Sequence, residues 1–277
     1  MSVSTVDGAI AHARSAGLDR LDAQLLLGAV LGRERSWLIA HGDDALTPQQ
    51  AAHFDALVAR RAAGEPVAYL LGRQEFHGMT LQVSPAVLVP RPDTETLVDW
   101  ALELLDTELA GTGRPQVLDL GTGSGAIALA IKHRCPRAEL TAVDTSPDAL
   151  AVAAANAQAL GLSIALLPGH WWTPVAGRRF DLIVSNPPYI AGDDHHLDAL
   201  QHEPRLALTP GGDGLASLRE IAAGASAHLH DGCRLLLEHG HDQAGAVQAL
   251  LTAAGLQDVG TRCDLGGNDR CTGGRWH

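Results

Sequence analysis

The stretch Val117-Leu118-Asp119-Leu120-Gly121-Thr122-Gly123-Ser124-Gly125 decides the fold class of this chain. It passes from an apolar run directly into closely spaced glycines, and the segment that follows, Ala126 to His133, has a helical pattern. Glycines at such a turn let a ligand approach the backbone N–H groups at the start of the helix. The stretch therefore predicts the first strand and the ligand-binding loop of an α/β domain.

Further short apolar runs alternate with helical segments along the rest of the chain. Such alternation predicts an α/β fold with a Rossmann-like, doubly wound and mostly parallel sheet, which binds ligands at the carboxyl ends of its strands. The predicted strands after the first are Leu140 to Val143, Ile164 to Leu167, Phe180 to Ser185 and Cys233 to Glu238.

A carboxylate, Asp144, follows the second predicted strand. In this position it can accept hydrogen bonds from both hydroxyls of a ribose, which indicates a nucleoside-containing cofactor. Gly121, Gly123 and Ala126 also satisfy the dinucleotide pattern G-x-G-x-x-G/A. The loop and the acid alone therefore leave a nicotinamide cofactor and S-adenosylmethionine equally open.

The residues before this α/β region predict two further parts. Residues 1–71 have helical periodicity throughout and predict a module of about four helices, one of them begun by a capping box from Thr47 to Gln50. Residues 72–92 predict a β-hairpin linker that turns at His77-Gly78. The α/β domain then covers residues 93–277 and starts with a helix capped by Asp93 or Thr94.

Composition narrows the function classes. The chain has 277 residues, a formal net charge of −12 and one lysine, so its surface as a whole repels polyanions and no direct nucleic-acid partner is expected. We expect no signal peptide and no membrane span, and hence a cytoplasmic protein. Four cysteines without C-x-x-C spacing predict reduced thiols, and we expect them in the core. His195-His196 and His239/His241 lack an acidic partner at ligand spacing, so we expect histidines in solvated loops and no metal.

A second motif, Asn186-Pro187-Pro188-Tyr189, follows the fourth predicted strand. Its prolines stiffen the loop and leave carbonyl acceptors, which suits it to binding an –NH2 group. The Asn186 side-chain oxygen and the Pro187 carbonyl would accept the two hydrogens, while Tyr189 packs on the planar group. Holding a weakly nucleophilic amide nitrogen in line with a methyl sulfonium can lower a barrier by up to ~7–11 kcal/mol. This motif favours methyl transfer over hydride transfer.

With both motifs in place, the chain resembles the class I S-adenosylmethionine-dependent methyltransferases, and more closely the release factor glutamine methyltransferases of the HemK/PrmC family. The resemblance covers essentially the whole length. It is carried by YLLGRQEF at 69–76, VPRPDTE at 89–95, VLDLGTGSG at 117–125, DLIVSNPPYI at 181–190, Glu203-Pro204 with 211–215, and LLLEHG at 235–240.

The resemblance implies N5-methylation of the glutamine in the Gly-Gly-Gln motif of peptide chain release factors, by a monomer whose helical module helps to grip that protein. It implies that the cofactor is held by Gly121, Thr122, Gly123, Ser124, Gly125, Asp144, Trp171 and Asn186. For Trp172 we expect a packing role only. The resemblance also implies that Asn186, Pro187 and Tyr189 are the catalytic residues, and that these three and Pro188 bind the glutamine amide. The segment from Pro90 to Glu95 would lie at the mouth of the site, either directly or as a helix cap with Arg91 paired to Asp93 or Glu95.

Two points qualify this expectation. Family members commonly carry an acid just before the tryptophan, whereas this chain has His170 there, which weakens adenine recognition. The Asn-Pro-Pro-Tyr motif also occurs in nucleic-acid methyltransferases, so methylation of an adenine N6 or guanine N2 amino group is the alternative. The charge of −12 disfavours that alternative.

Overall fold

The structure is a computed structural model that describes residues 5–277. Its contacts divide the chain into two compact units, which meet in the sequence between Arg73 and Gln74. Among the described residues, no helix combines the length and the apolar character needed to cross a bilayer.

The first unit is helical, as predicted, and its apolar core is built around Leu26, Leu38 and Phe54, which are fully buried. Its described residues form five helices rather than about four, because a short helix follows the second and another precedes the hairpin. They are α1 (Val6–Ser15), α2 (Arg20–Leu31), α3 (Arg35–Ala40), α4 (Pro48–Ala62) and α5 (Val67–Leu71).

The predicted capping box at the start of α4 is confirmed. The Thr47 hydroxyl accepts from the Gln50 backbone N–H, and the Gln50 side chain accepts from the Thr47 N–H at 2.9 Å. Pro48 occupies the first helical turn, where its missing N–H has no consequence. Local chemistry of four residues is enough to begin this helix.

The second unit is an α/β layer structure that begins with a hairpin. Its strands are β1 (Arg73–Phe76), β2 (Met79–Gln82), β3 (Gln116–Leu120), β4 (Glu139–Asp144), β5 (Ala165–Pro168), β6 (Phe180–Ser185), β7 (Leu229–Glu238), β8 (Gln257–Cys263) and β9 (Asp269–Arg275). Its helices are α6 (Glu95–Asp106), α7 (Ala126–Arg134), α8 (Pro147–Leu160), α9 (His196–Ala199), α10 (Arg205–Leu208), α11 (Ala216–His228) and α12 (Ala244–Ala253), and short 3₁₀ turns cover Pro92–Thr94 and Thr173–Val175.

Seven strands form one sheet in the order β5-β4-β3-β6-β7-β9-β8. The five strands from β5 to β7 are parallel, and β9 runs antiparallel between β7 and β8. The mostly parallel, doubly wound sheet is therefore as predicted, whereas its antiparallel end was not. The strand order reverses between β3 and β6, which is where such sheets bind ligands.

Helices cover both faces of this sheet. One core contains residues of α6 and α7 together with Val117, and the opposite core contains residues of α11 and α12 together with Leu118 and Leu120. Successive residues of β3 thus enter opposite cores, as the two-residue period of a strand requires. Burial on both faces explains why Val117, Leu118 and Leu120 are all apolar, with the buried Asp119 the one charged residue of β3.

The hairpin turns at the predicted His77-Gly78. Both residues have positive φ, 49° and 77°, as a tight two-residue hairpin turn requires. Asn156 on α8 secures the second strand, because its side chain accepts from the Gln82 N–H at 2.6 Å and donates to the Gln82 carbonyl at 3.0 Å. The same Asn156 amide donates to the Ser124 carbonyl at 2.9 Å and so connects the hairpin to the glycine loop.

Two local expectations are wrong. Thr94 is the residue before α6, but its side chain makes no capping hydrogen bond, because it lies in a preceding 3₁₀ turn with helical backbone angles and bonds elsewhere. The cysteines are all free, as expected, yet Cys263 is exposed rather than in the core, since it lies at the end of β8, the strand at the edge of the sheet.

Candidate active site

A cavity of about 410 Å³ opens at the carboxyl ends of β3, β4 and β6 in the second unit. Its volume is in the range of small-molecule sites. Most of the residues that the sequence singled out line it: Gly121, Thr122, Gly123, Ser124, Asp144, Trp171, Asn186 and Pro188. Gly125, Pro187 and Tyr189 are not among the lining residues.

The glycine loop forms one wall. Gly121, Gly123 and Gly125 have φ values of 74°, 55° and 82°, which residues with a Cβ rarely adopt. A Cβ on Gly121 would lie 3.3 Å from the ring of Trp171. Gly125 instead packs closely under the loop, since a Cβ there would lie 3.0 Å from Leu129. The glycines thus bring the backbone close to the cavity at one end and to the core at the other.

Asp144 stands at the end of β4 and faces the same cavity. Its Oδ2 accepts from the Gly123 N–H at 2.8 Å and its Oδ1 accepts from the Ser146 N–H at 2.9 Å. Each carboxylate oxygen has further lone pairs, so both can still accept from a ligand. Two neighbouring acceptors of this kind match the two hydroxyls of a ribose.

Trp171 and Trp172 have different roles. Trp171 lines the cavity with a positive φ of 40°, whereas Trp172 donates from Nε1 to the Glu220 carbonyl at 3.2 Å and stacks on His228. The packing role expected for Trp172 is confirmed. His170 also lines the cavity, and its Nδ1 lies 3.2 Å from Oε1 of Glu220, a lining residue on α11. An acidic group is therefore present beside His170, contributed by a distant helix.

Asn186 lines the same cavity as the glycine loop. Its Nδ2 donates to the Thr94 hydroxyl at 3.2 Å. At the other end of the motif, the Tyr189 hydroxyl donates to Glu238 Oε1 at 3.4 Å, and the Tyr189 carbonyl accepts from Gln243 at 2.9 Å. Burial and the adjacent Glu238 carboxyl raise the Tyr189 pKa, so this phenol stays protonated. Both ends of the motif are thus held by side chains from other parts of the chain.

A buried carboxyl, Asp119, lies under the glycine loop. The Thr122 hydroxyl donates to its Oδ2 at 2.6 Å, while Oδ1 has no hydrogen-bond partner among the described residues. Removal from water raises the Asp119 pKa to about 7. The Asp119 carboxyl below the glycine loop therefore binds a proton more readily than an ordinary aspartate.

The segment from Pro90 to Glu95 lies at the cavity, but its partners differ from those expected. Arg91 pairs with Glu203 rather than with Asp93 or Glu95, because Glu203 is buried and also accepts from the Val89 N–H at 3.0 Å. Asp93 instead pairs with Arg270 at 3.3 Å, and Glu95 accepts from the backbone of the hairpin turn. Arg91 thereby joins the segment before α6 to the one before α10.

Two expectations about histidines are wrong. His195-His196 do have an acidic neighbour, since Asp194 Oδ1 lies 3.6 Å and 2.7 Å from their Nδ1 atoms. All three side chains belong to one loop, and exposed groups of this kind are common without an ion. His239, expected in a solvated loop, is fully buried between Thr272 and the Gly240 carbonyl, and desolvation lowers its pKa.

Sequence reasoning gave Thr94 only a possible capping role and assigned Glu203, Glu220 and Glu238 no role in this site. Thr94 and Glu203 stood in quoted motifs, and Glu238 ended a predicted strand, so position alone could have drawn attention to them. No local signal marks Glu220, because its neighbour His170 is far away in the sequence.

Comparison with known proteins agrees with this architecture. Residues 9–72 match the PrmC N-terminal domain, and residues 94–216 match the methyltransferase small domain. The chain is 52% identical over 261 residues to the release factor glutamine methyltransferase of Bordetella pertussis, covering 93% of this chain and 95% of that protein. It is 50% identical over 270 residues to that of Xylella fastidiosa, covering 96% and 97%.

A solved structure shows the same fold at low identity. It is the T. thermophilus 16S rRNA N2 G1207 methyltransferase in complex with AdoMet and guanosine, with a TM-score of 0.51, 20% identity, and coverage of 74% of this chain and 50% of that one. The mostly parallel sheet, the two matched domains, and identities of 52% and 50% over more than nine-tenths of the chain all indicate the same family. The chain belongs to the release factor glutamine methyltransferases.

Proposed function

We propose that this protein transfers a methyl group from S-adenosylmethionine to the side-chain amide nitrogen of the glutamine in the Gly-Gly-Gln motif of peptide chain release factors. The names of its relatives support a protein-glutamine substrate and not the nucleic-acid alternative. Membership of a methyltransferase family and the AdoMet of the T. thermophilus relative support the choice of methyl donor.

One observation carries the proposal. Asn186 and the glycine loop line one cavity, so a carboxamide acceptor lies beside the wall suited to a nucleoside cofactor. Hydride transfer from a nicotinamide does not require a stiff loop whose asparagine accepts hydrogen bonds from a substrate amide. The pairing of these two motifs is what a methyl donor and an amide substrate require.

The cavity fits the proposed donor. We assign its ribose to Asp144, whose two oxygens each keep a free lone pair, and its methionine part to the loop from Gly121 to Gly125. Trp171 then lies beside the adenine, with His170 and Glu220 at the rim as acceptors for the adenine amino group. Glu220 would compensate for the acid that is missing before Trp171.

The chain's own residues prepare the substrate nitrogen. The bound cofactor supplies an electrophilic methyl group on a sulfonium sulfur. The Asn186 Oδ1 and the Pro187 carbonyl accept the two amide hydrogens, which orients the nitrogen and stabilises the positive charge that grows on it. A nitrogen–carbon bond forms as the carbon–sulfur bond breaks, and the acidic methylated amide then loses its proton to water.

Other members of the motif shape this small site. Pro188 lines the cavity, and Pro187 is buried, so the loop keeps a fixed backbone. Tyr189 is anchored to Glu238 through its hydroxyl. We assign to Tyr189 the face of the substrate amide, with the anchored hydroxyl limiting how the ring can turn.

The remaining parts of the chain complete the assignment. We propose that residues 1–71 form the substrate-gripping domain, residues 72–92 the linker and residues 93–277 the catalytic domain. We propose that the enzyme acts as a monomer. Because release factors act in translation, we place the enzyme in the cytoplasm.

The decisive experiment locates the methyl group. The purified chain is incubated with S-adenosylmethionine carrying a labelled methyl group and a bacterial release factor, and the peptides are sequenced by mass spectrometry. We expect one added methyl on the glutamine of the Gly-Gly-Gln motif. A release factor with Gly-Gly-Ala at that position is the matched control and should stay unlabelled. Labelling of another residue, or of added ribosomal RNA only, would overturn the proposal.

A further inference from the structure

Thr94 occupies an unusual place for a residue that precedes a helix. It is 4% exposed, and its hydroxyl makes no capping bond to the backbone of α6. The hydroxyl instead accepts from Asn186 Nδ2 at 3.2 Å. The three-residue turn Pro92–Thr94 presents it in this direction. The side chain that would ordinarily begin the helix is thereby available to the catalytic loop.

This contact decides which end of the Asn186 carboxamide is used. A carboxamide nitrogen can only donate, and its oxygen can only accept. With Nδ2 committed to Thr94, Oδ1 is the end left for a ligand in the cavity that Asn186 lines. A substrate –NH2 group needs an acceptor, so the reverse orientation would present a second donor and repel it.

Glu238, the last residue of β7, lies beside Thr94 and Tyr189. This carboxyl is 1% exposed, the Tyr189 hydroxyl donates to its Oε1 at 3.4 Å, and interaction with the Thr94 hydroxyl also favours the charged form and lowers the Glu238 pKa. Its Oε2 has no hydrogen-bond partner in the described part of the chain. One buried carboxyl thus interacts with both hydroxyls that secure the ends of the Asn186 to Tyr189 motif.

We propose that Thr94 and Glu238 are positioning residues that orient the Asn186 carboxamide, so that Oδ1 faces the substrate amide when Glu238 is ionised. An ionised Glu238 accepts the Thr94 hydroxyl hydrogen, which leaves the Thr94 oxygen to accept from Asn186 Nδ2. A protonated Glu238 donates to Thr94 instead, and the Thr94 hydrogen then favours Asn186 Oδ1. The inference rests on the proposed function, because it assumes an amide substrate.

The surroundings of Glu238 allow both its ionised and its protonated form near neutral pH. Burial raises the Glu238 pKa to about 7, and the Asp93 carboxylate acts in the same direction. The Thr94 and Tyr189 hydrogen bonds and the positive charge of Arg270 oppose that rise. The ionisable groups that face Glu238 are Tyr189 after β6, Asp93 before α6, and Arg270 and Cys271 on β9.

The first test removes the Thr94 hydroxyl. In Thr94→Val, we expect kcat for release factor methylation to fall about 10–100-fold, as for loss of groups that orient a reacting side chain, with KM and the cofactor Kd within about twofold. Thr94→Ser keeps the hydroxyl and should restore kcat. Thr141→Val is the matched control, since it removes a buried hydroxyl that bonds Arg178 outside the cavity. Full kcat in Thr94→Val, or no recovery in Thr94→Ser, would overturn the inference.

The second test does not depend on turnover. The side-chain NH2 resonances of Asn186 are observed in ¹⁵N-labelled protein and are assigned by their loss in Asn186→Ala. We expect these resonances to shift as the pH is raised through about 7. The shift should disappear in Glu238→Gln and in Thr94→Val, and persist in Thr141→Val. The kcat of the wild type should rise through the same pH range, and Glu238→Gln should flatten it.

The outcomes separate the two proposals. If the wild type methylates no release factor but the Asn186 resonances titrate as described, the proposed function fails and the orienting contact stands. If methylation occurs and the resonances ignore Glu238→Gln, the orienting role of Glu238 is wrong and the proposed function stands. Unchanged melting temperatures in these variants show that the fold is intact.

Discussion

Leu120 and Ser185 lie opposite each other at the carboxyl ends of adjacent parallel strands, and the Ser185 hydroxyl donates to the Leu120 carbonyl at 2.7 Å. The glycine loop begins one residue after Leu120, and the Asn-Pro-Pro-Tyr motif begins one residue after Ser185. A single register therefore brings the proposed cofactor wall and the proposed amide-binding loop together. The point lies where the strand order reverses, which leaves an open crevice between the two loops.

Asn186→Ala removes the acceptor proposed for the substrate amide. We expect kcat/KM for release factor methylation to fall by ~10²–10³, as for loss of one preorganised hydrogen-bonding group in a transition state. Labelled methyl transfer measures the rate, and calorimetry should show only a small loss of cofactor affinity. Asn268→Ala, an exposed asparagine between β8 and β9, is the control. A near wild-type rate in Asn186→Ala would contradict the amide-orienting role.

Asp144→Ala removes two acceptors proposed for the ribose. Hydrogen bonds to a charged group contribute about 1.5–3 kcal/mol, so the Kd for S-adenosylmethionine should rise by roughly 10–100-fold in calorimetry. Asp148→Ala, an exposed acid on the following helix that does not line the cavity, should leave the Kd unchanged. Equal affinities in the two variants would remove the ribose role.

Gly121→Ala tests the close approach of the glycine loop. Its φ of 74° costs a residue with a Cβ about 1–2 kcal/mol, and the new methyl would lie 3.3 Å from the Trp171 ring. We expect a lower melting temperature and weaker cofactor binding. Gly111→Ala, where no atom lies within 4 Å of the added Cβ, should change neither. Similar effects in both variants would show that the loop geometry is not special.

Arg91→Gln tests the link between the segments before α6 and α10. The change leaves the buried Glu203 without its cation, so Arg205–Leu208 should open more easily. Hydrogen exchange of these amides should accelerate by about tenfold or more. Arg114→Gln breaks the exposed pair with Glu139 and should have little effect, as surface pairs contribute ~0–1 kcal/mol. Unchanged exchange in Arg91→Gln would mean that this pair does not hold the segment.

Asp119 predicts a specific pH dependence of stability. Its folded pKa of about 7 lies above the ordinary value of about 4, so its contribution is present below about pH 4 and is lost as pH rises through about 7. Thermal melting should therefore show stability falling between about pH 5 and pH 8, with a shallower fall in Asp119→Asn. Asp198→Asn, an exposed carboxyl, should follow the wild type. Parallel profiles for wild type and Asp119→Asn would contradict the raised pKa.

Several features followed from short stretches of sequence because their causes are local. The capping box at Thr47 and the hairpin turn at His77-Gly78 each depend on backbone geometry within a few residues. The apolar runs predicted β3, β4 and β6, since strands buried on both faces lose their alternation. The same runs did not predict the antiparallel β8 and β9. β8 is only partly buried, and the buried residues of β9 are Cys, Thr and Gly, so neither strand carries a continuous run of large apolar residues.

Local sequence patterns could not predict which residues form hydrogen bonds and ion pairs with one another at the site. Asp93 or Thr94 was expected to cap α6, and Arg91 to pair with a neighbouring acid, yet the partners of Thr94 and Arg91 lie 92 and 112 residues away. Bonds to near neighbours were expected, because the sequence of a six-residue segment does not indicate which distant side chain packs against it.

Motifs and periodicity thus established an α/β methyltransferase with a helical module and named the two loops of its site, because strand, turn and helix preferences act between near neighbours. Tertiary structure alone decided that Thr94 meets Asn186, that Glu203 meets Arg91, and that Glu220 stands beside His170. Each of these contacts depends on the order and register of strands that are far apart in the chain, and packing of the whole sheet sets that order.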